Sequence, residues 1–142
     1  MNVDPSKSTV QYDYKKLESK VLKSIQLAKF KKDKGDLIDT PHKASILFDK
    51  KTKSVYFVVQ ANTTHTHIFT GLLIPSKSYA RILNSKSENI EVLAFEIEKK
   101  EKKLASHVIK IQISSEEDEK AKKEFFEVLQ EAIEGKVEEK TV

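Results

Sequence analysis

The last third of the chain constrains the fold most, because residues 104–113 alternate like a strand and run directly into a helix that has signals at both ends. Side chains of one parity are apolar or histidine and those of the other are mostly polar, which is the period of a half-buried β-strand. From Ala105 to Ile113 only Val108 departs from this alternation. The side chains expected to face inward are Ala105, His107, Ile109, Ile111 and Ile113.

Signals for the start and the end of a helix follow this strand. Ser114 or Ser115 is expected to accept a hydrogen bond from a free amide of the first turn, with Glu117 or Asp118 completing a capping box. Gly135 is expected to end the helix in a left-handed conformation. One apolar stripe lies between these ends and consists of Ala121, Phe125, Val128, Leu129 and Ala132. Such a stripe needs a surface to cover, and we expect the preceding sheet to supply it.

The clearest hairpin lies earlier in the chain. Residues 44–49 and 54–61 are strand-like runs that flank the polar turn 50–53. Both faces of the second run are largely apolar, so we expect that strand to be central in its sheet.

Two further strands are predicted at residues 66–74 and 90–97. Gly71 stands in the middle of the first and is expected to mark a bulge or a sharp bend. Residues 76–89 between them are predicted to form a loop with one short helical turn, made by Tyr79, Ile82 and Leu83. The side chains of the second strand expected to face inward are Leu93, Phe95 and Ile97.

Two interpretations of residues 12–31 are open. In one, a single helix of about five turns carries one apolar face. In the other, the helix ends near Lys23, Ser24 to Lys31 form a strand, and residues 32–35 form a turn with Gly35 at a positive φ. We favour the second, because Gly35 is one of only three glycines.

Length and composition bound the domain and its setting. The 142 residues fit one domain, which we place at residues 12–135, between a flexible tail at 1–11 and a frayed C-terminus at 136–142. The chain has no cysteine, which excludes disulfides, thiolate metal sites and cysteine nucleophiles. It shows neither a membrane-spanning apolar run nor a signal peptide, so we expect an intracellular protein, cytoplasmic or nuclear.

The order of elements over residues 24–135 resembles the pleckstrin-homology superfold, the group that includes phosphoinositide-binding PH domains, Ran-binding domains, EVH1 domains and the PH-like domain of a TFIIH subunit. The last strand carries the resemblance, since it passes through Ser114 and Ser115 into a helix that bears Phe125 and Leu129. The resemblance implies an α+β, mainly β fold: a small antiparallel barrel or bent sheet of about six to seven strands, capped by the C-terminal amphipathic helix, with an N-terminal helical segment. The chain has no tryptophan and no Ran-binding motif, so no family function is carried over to particular residues.

Lysines supply the candidate binding residues. Residues 1–60 carry 13 lysines against 7 acidic residues, so any basic surface is expected in the first half. In PH domains the loops that such lysines flank lie at the open end of the barrel and bind inositol phosphates, and here they would also attract an acidic peptide. A solvated charged turn that resists edge aggregation is the alternative explanation. The candidate partner-binding residues are Lys29, Lys31, Lys32, Lys34, Lys43, Lys50, Lys51 and Lys53.

Histidines give weaker candidates. His65 and His67 would share one face of an extended chain, as a metal pair could, but the sequence places no third ligand. His107 is expected to be a hydrogen-bonded core residue rather than a catalyst. The sequence contains no phosphate-cradling glycine loop, nucleophile elbow or paired His–acid motif. We therefore predict no catalytic residue, no cofactor and no metal.

These patterns favour a non-enzymatic interaction module, an adaptor or scaffold that binds an acidic or extended peptide of a protein partner. Binding to phosphoinositides or anionic membranes through the same lysines is one alternative. Single-stranded nucleic-acid binding by an OB-like barrel is another, and would need Tyr56, Phe57 or Phe69 exposed as stacking platforms. Nucleic acid is the less favoured partner, because Arg81 is the only arginine and arginine provides the bidentate fork for phosphate and guanine.

Overall fold

A computed structural model of the chain describes residues 19–33, 35, 42–62, 67–83, 89–98 and 103–135. The predicted tail at 1–11, the helical segment up to residue 18 and the C-terminus at 136–142 lie outside these residues. Within them the chain forms seven strands and one helix. The elements are β1 (Ser19–Lys32), β2 (His42–Asp49), β3 (Ser54–Ala61), β4 (His67–Leu73), β5 (Tyr79–Ile82), β6 (Asn89–Glu98), β7 (Lys103–Ile113) and α1 (Glu119–Ile133).

The strands form one antiparallel sheet in the order β4-β3-β2-β1-β7-β6-β5. Strand β4 also pairs with β6, where Leu72 lies opposite Phe95, and this pairing closes six strands into a barrel. Strand β5 remains outside and pairs with β6. The predicted antiparallel barrel with a C-terminal helix is confirmed, and β3 has the central position expected of it.

Helix α1 covers the barrel with the predicted stripe. Phe125 and Leu129 are fully buried, and they join the aromatic and aliphatic side chains that point inward from the strands. At its two ends the helix contacts β1 and β5, and the Gln130 Nε2 atom donates to the Ala80 carbonyl at 3.2 Å. Gly135 follows the helix with φ +74°, as expected. In the described part of the chain no helix is long and apolar enough to cross a membrane.

The predicted N-cap is wrong by a few residues. Asp118 caps α1, since its Oδ1 atom accepts a hydrogen bond from the Ala121 amide at 2.7 Å. The Ser114 Oγ atom instead accepts from the Glu116 amide at 3.2 Å. Its hydroxyl stabilises the turn that precedes the helix, because the helix begins only at Glu119.

Strand β1 confirms the split interpretation for residues 24–31, but residues 19–23 are also strand, where a helix was predicted. Register shifts between Val21 and Lys23 and between Leu27 and Lys29 explain the error. Each shift inserts one extra residue, so side chains that pack on the core are three apart at two points, as on a helix. The core-packing residues of β1 are Leu22, Ile25, Leu27 and Phe30.

The turn after β1 also differs from the prediction. Asp33 has the left-handed conformation, with φ +53°, and Gly35 does not. Aspartate tolerates this conformation because its short side chain can hydrogen-bond locally. The Asp33 side chain does bond, to residues of β7.

Gly71 does not mark a bulge. The register of β3 with β4 passes through Gly71, and its shift lies between Val59 and Gln60. A Cβ atom at Gly71 would lie 2.5 Å from a Phe69 ring carbon and 2.8 Å from the Ala94 Cβ atom. Glycine is needed here because β4 approaches β6 closely where the barrel closes.

Two predictions for residues 76–97 are wrong. Tyr79 to Ile82 form strand β5 rather than a helical turn. On β6 the buried apolar side chains are Ile90, Val92 and Ala94, whereas Leu93 and Phe95 are only partly buried and the side chain of Ile97 lies outside the description. Apolar residues occupy both parities of this segment, so alternation alone does not select a face. Pairing selects it, because Ile90 and Val92 lie opposite the core residues Ile111 and Ile109 of β7.

Candidate functional site

The candidate lysines do not form one surface. Ser19 lies opposite Asp49 and Leu27 lies opposite His42, so the turn at residues 50–53 and the end of β1 are at opposite ends of β2. Over eight residues this separation is roughly 23 Å. Lys50, Lys51 and Lys53 therefore lie far from Lys29, Lys31 and Lys32. Lys43 lies between Gln26 and Gln60, and Lys34 is outside the described residues.

The turn at residues 50–53 has a structural explanation. The Asp49 carboxylate accepts a hydrogen bond from the Lys51 amide at 3.0 Å and one from the Thr52 hydroxyl at 3.1 Å. Lys53 has a left-handed conformation with φ +62°. The exposed side chains of this turn fit the solvated, aggregation-resistant turn named as the alternative explanation.

Lys32, at the end of β1, already contacts other residues of the barrel. Its Nζ atom lies 3.3 Å from the Glu96 Oε2 atom and 5.4 Å from the centroid of the Phe69 ring. An ammonium group with an ion pair and a cation–π contact is less available to a ligand than an exposed one.

His107 lies on the inward face of β7 at the same end of the barrel, as predicted. Its Nδ1 atom is hydrogen-bonded to the Asp33 Oδ2 atom, its Nε2 atom lies 3.5 Å from the Glu96 Oε1 atom, and its ring meets the edge of Phe69. The ring is half-buried rather than fully buried. These contacts tie the turn after β1 to β6 and β7.

The carboxylate of Asp33 is stabilised in its charged form. Burial by itself would raise the pKa of Asp33, but the hydrogen bonds from His107 and from the Val108 amide, with the nearby charges of His107 and Lys32, lower it below its ordinary value. Val108 donates at 2.9 Å. These hydrogen bonds hold the turn after β1 against β7.

A second group of lysines faces outward from the sheet formed by β1, β7, β6 and β5. Across β1, β7, β6 and β5, Lys29 lies opposite Gln112, Lys31 opposite Lys110, Lys110 opposite Glu91, and Glu91 opposite Arg81. Side chains of one parity share one face of a sheet. We call this surface the basic face, and its residues are Lys29, Lys31, Arg81, Glu91, Lys110 and Gln112.

The charges of the basic face are not balanced. Glu91 is 7% exposed, and its Oε1 atom lies 2.6 Å from the Arg81 Nε atom, so this carboxylate is already neutralised. Burial and the proximity of Glu91 raise the pKa of the neighbouring Tyr79. In the described part of the chain no carboxylate lies within ion-pair distance of Lys29, Lys31 or Lys110.

Lys31 and Lys110 form a like-charge pair. They are directly opposite on neighbouring strands, which brings their Cβ atoms to about 5 Å, and like charges in that position destabilise a sheet. Lys110 is exposed and Lys31 is half-buried. The fold therefore places two lysines opposite each other, and the described carboxylate beside them, Glu91, pairs with Arg81 rather than with either lysine.

A cavity of about 210 Å³ opens at the edge of the basic face, lined by Lys29, Leu83, Asn89, Lys110, Ile111 and Gln112. Leu83 is 45% exposed, and Tyr79 on β5 is 37% exposed. The cavity thus combines two lysines with one exposed apolar side chain, Leu83. Another cavity, of about 260 Å³, lies at the C-terminal end of α1, but Lys53 is the one lysine among its described lining residues.

The outer edge of β5 is partly covered. Leu83 donates to the Asn89 carbonyl at 2.7 Å, so by the antiparallel alternation the main-chain groups of Ala80 and Ile82 point away from β6. The Ala80 carbonyl accepts from Gln130 of α1. A peptide that adds to this edge as a strand would find only the end of β5 open, whereas the basic face beside it is accessible.

Sequence reasoning missed Lys110, Gln112 and Leu83. Lys110 and Gln112 were assigned only as the polar parity of the last strand. Lys29 and Lys31 alternate along their strand in the same way as Lys110 and Gln112 alternate along theirs. This match could have pointed to a shared surface, but only if the pairing of β1 with β7 were known.

The other candidate residues do not form sites in the described structure. Phe57 and Phe69 are 0% and 1% exposed, so neither can serve as the stacking platform considered above, and Tyr56 is half-buried. His65 and the side chain of His67 lie outside the description. Within the residues described, no three histidine, aspartate or glutamate side chains are grouped to hold a metal ion.

The barrel with one C-terminal helix is compatible with a PH-like or an OB-like fold. A scan of the sequence against protein-family models and a search of curated proteins both find no match.

Proposed function

We propose that this protein is a non-enzymatic interaction module whose basic face binds an acidic, extended segment of a partner protein. One observation carries the proposal: Lys29, Lys31 and Lys110 lie together beside an amphipathic cavity, and no described carboxylate lies within ion-pair distance of them. Glu91 lies opposite Lys110 but pairs with Arg81. Complementary charge steers a partner to such a surface and fixes its register.

The dimensions of the basic face suit an extended peptide. Three strand spacings separate β1 from β5, which is about 14 Å. Four to five extended residues, at about 3.3 Å each, span that distance. Acidic side chains at one end of the segment would meet the lysines, and an apolar side chain at the other would meet Leu83 or Tyr79. Tyrosine is a frequent anchor at interfaces.

Two features favour a peptide over the alternatives. A phosphoinositide headgroup site made by the loops would need Lys32 and the lysines of residues 50–53, but Lys32 pairs with Glu96 and the others lie at the opposite end of β2. Base stacking would need exposed rings, and Phe57 and Phe69 are in the core. His107 is the histidine considered above as a possible catalyst. Its contacts with Asp33 and Glu96 account for its position in the barrel.

The test is fluorescence polarisation with short peptides that combine several Asp or Glu residues with one apolar residue. Lys31→Glu and Lys110→Glu should each weaken binding about tenfold or more, equivalent to about 1.4 kcal/mol, and higher salt should weaken binding of the native protein. Lys51→Glu is the matched control, because it reverses the same charge at the far end of the barrel. Its binding should be unchanged.

Three results would contradict the proposal. One is equal loss of affinity in the Lys51→Glu control. The second is absence of binding to every acidic peptide. The third is tighter binding to phosphoinositide vesicles or single-stranded oligonucleotides than to any peptide, measured with the same variants.

A further inference from the structure

Resting on the proposed function, we infer that the anionic group recognised by the basic face is a phosphoryl group on the peptide, a phosphoserine or phosphothreonine, seated in the cavity between Lys29 and Lys110. The cavity is lined by both lysines and by Gln112. Three steps lead from these residues to that ligand.

The first step is charge. Lys31 lies directly opposite Lys110, and Lys29 is two residues from Lys31 on the same strand. One carboxylate brings a single negative charge to these three ammonium groups. A phosphomonoester brings a charge of about −1.5 to −2 at neutral pH, so it relieves more of their mutual repulsion at one position.

The second step is the arrangement of donors. Lys29 is opposite Gln112, and Lys110 precedes Gln112 by two residues, so the two lysines approach the cavity diagonally from neighbouring strands. Diagonal neighbours in a sheet are about 7–8 Å apart. A tetrahedral group with three free oxygens can offer a separate acceptor to each lysine, while the Gln112 amide supplies a donor between them. A lysine binds phosphate as a point charge and does not need the planar fork of arginine.

The third step is size and the apolar side chain of Leu83. The cavity volume of about 210 Å³ is roughly seven times the share of one water molecule in the liquid, so it can hold a phosphoryl group and the side-chain carbon that bears it. Leu83 lines the same cavity and would contact that carbon. The exposed Tyr79 continues the surface along the path of an extended peptide.

The experiment compares three peptides that differ at one central residue: phosphoserine, serine or glutamate, in the same acidic background with one apolar residue. The native protein should bind the phosphoserine peptide at least tenfold more tightly than either of the others. Lys29→Gln and Lys110→Gln should reduce this preference to threefold or less, whereas Lys51→Gln should retain it. Circular dichroism and amide NMR spectra of each variant establish that it is folded.

Each outcome decides between the inference and the proposed function. Equal binding of all three peptides overturns the phosphoryl inference and leaves the proposed function standing. Binding of none overturns both. A phosphoserine preference that survives Lys29→Gln and Lys110→Gln overturns the assigned cavity. Tighter binding to phosphoinositide vesicles than to the phosphopeptide overturns the choice of a peptide as the source of the phosphoryl group.

Discussion

Charge reversal at Lys31 should stabilise the fold and weaken binding at the same time. Lys31 lies directly opposite Lys110, and no described carboxylate lies within ion-pair distance of either. Glu91, on the other side of Lys110, pairs with Arg81. Lys31→Glu replaces a like-charge cross-strand pair by an opposite-charge pair. The substitution changes β-propensity little, because lysine and glutamate are both depleted in strands.

The magnitude follows from the pair itself. A favourable cross-strand charge pair contributes about 0.2–1 kcal/mol, and a like-charge pair costs a similar amount. The full swing would be about 0.4–2 kcal/mol, but Lys110 is exposed to solvent and exposed pairs are weakened by water. We therefore expect the free energy of unfolding to rise by about 0.5–1 kcal/mol at low ionic strength.

Urea denaturation followed by circular dichroism measures this change. With a slope of about 1–3 kcal/mol per molar urea, the midpoint should rise by about 0.2–1 M. The gain should shrink at 1 M salt, where charges are screened beyond about 3 Å. It should also largely vanish in the background Lys110→Gln, because the partner charge is then absent.

The reasoning would be refuted by either of two results. The first is a Lys31→Glu variant that is less stable than the native protein. The second is a stability gain of the same size with and without the Lys110 charge, because the gain would then have another origin. A more stable variant that binds acidic peptides at least tenfold more weakly is the outcome expected of a site whose residues are kept for binding at some cost in stability.

Further predictions concern the parts that hold the barrel. Gly71→Ala should destabilise the protein by about 1–3 kcal/mol through overpacking against Phe69, as measured by thermal unfolding, and Phe69→Leu should partly relieve this loss; equal stability of Gly71→Ala would contradict the close approach. Asp118→Ala should cost about 1 kcal/mol as a lost N-cap, and Asp118→Ser should recover most of it in the same assay. The folded-state pKa of Asp33 is below its ordinary value of 3.8, so its carboxylate stabilises the fold above that pH and loses this contribution as pH falls through the lowered pKa. Asp33→Asn should therefore lower stability at pH 7 but have little effect once the pH is below the lowered pKa of Asp33, and a pH-independent loss would exclude the contact with His107 as its source.

The sequence predicts the elements whose signals are local. The hairpin of β2 and β3 needs only alternation and a polar turn, and the run at residues 54–61 matches β3 at both ends. The stripe on α1 and the left-handed Gly135 are likewise properties of neighbouring residues. Local periodicity is sufficient there because nothing distant competes with it.

The remainder depends on contacts between distant residues. The segment that forms β5 is short and mostly exposed, and its strand conformation comes from pairing with β6. The inward face of β6 is set by its partners on β7 rather than by its own pattern. The basic face joins Lys31 to Lys110, which are 79 positions apart in the chain, and no local pattern brings them together.

One irregularity of β1 connects the fold to the proposed site. Leu27 faces the core opposite Ile113, and an uninterrupted strand would place residues 29 and 31 on that same inward face. The register shift between Leu27 and Lys29 adds one residue, so Phe30 fills the core opposite Ile111 while Lys29 and Lys31 turn outward. Without this bulge the two ammonium groups would be buried in the barrel, which would cost several kcal/mol each. With it, the two lysines contribute to the basic face. The irregularity that gives this part of β1 a helix-like spacing of three residues is therefore the one that places its lysines on the surface proposed to bind a ligand.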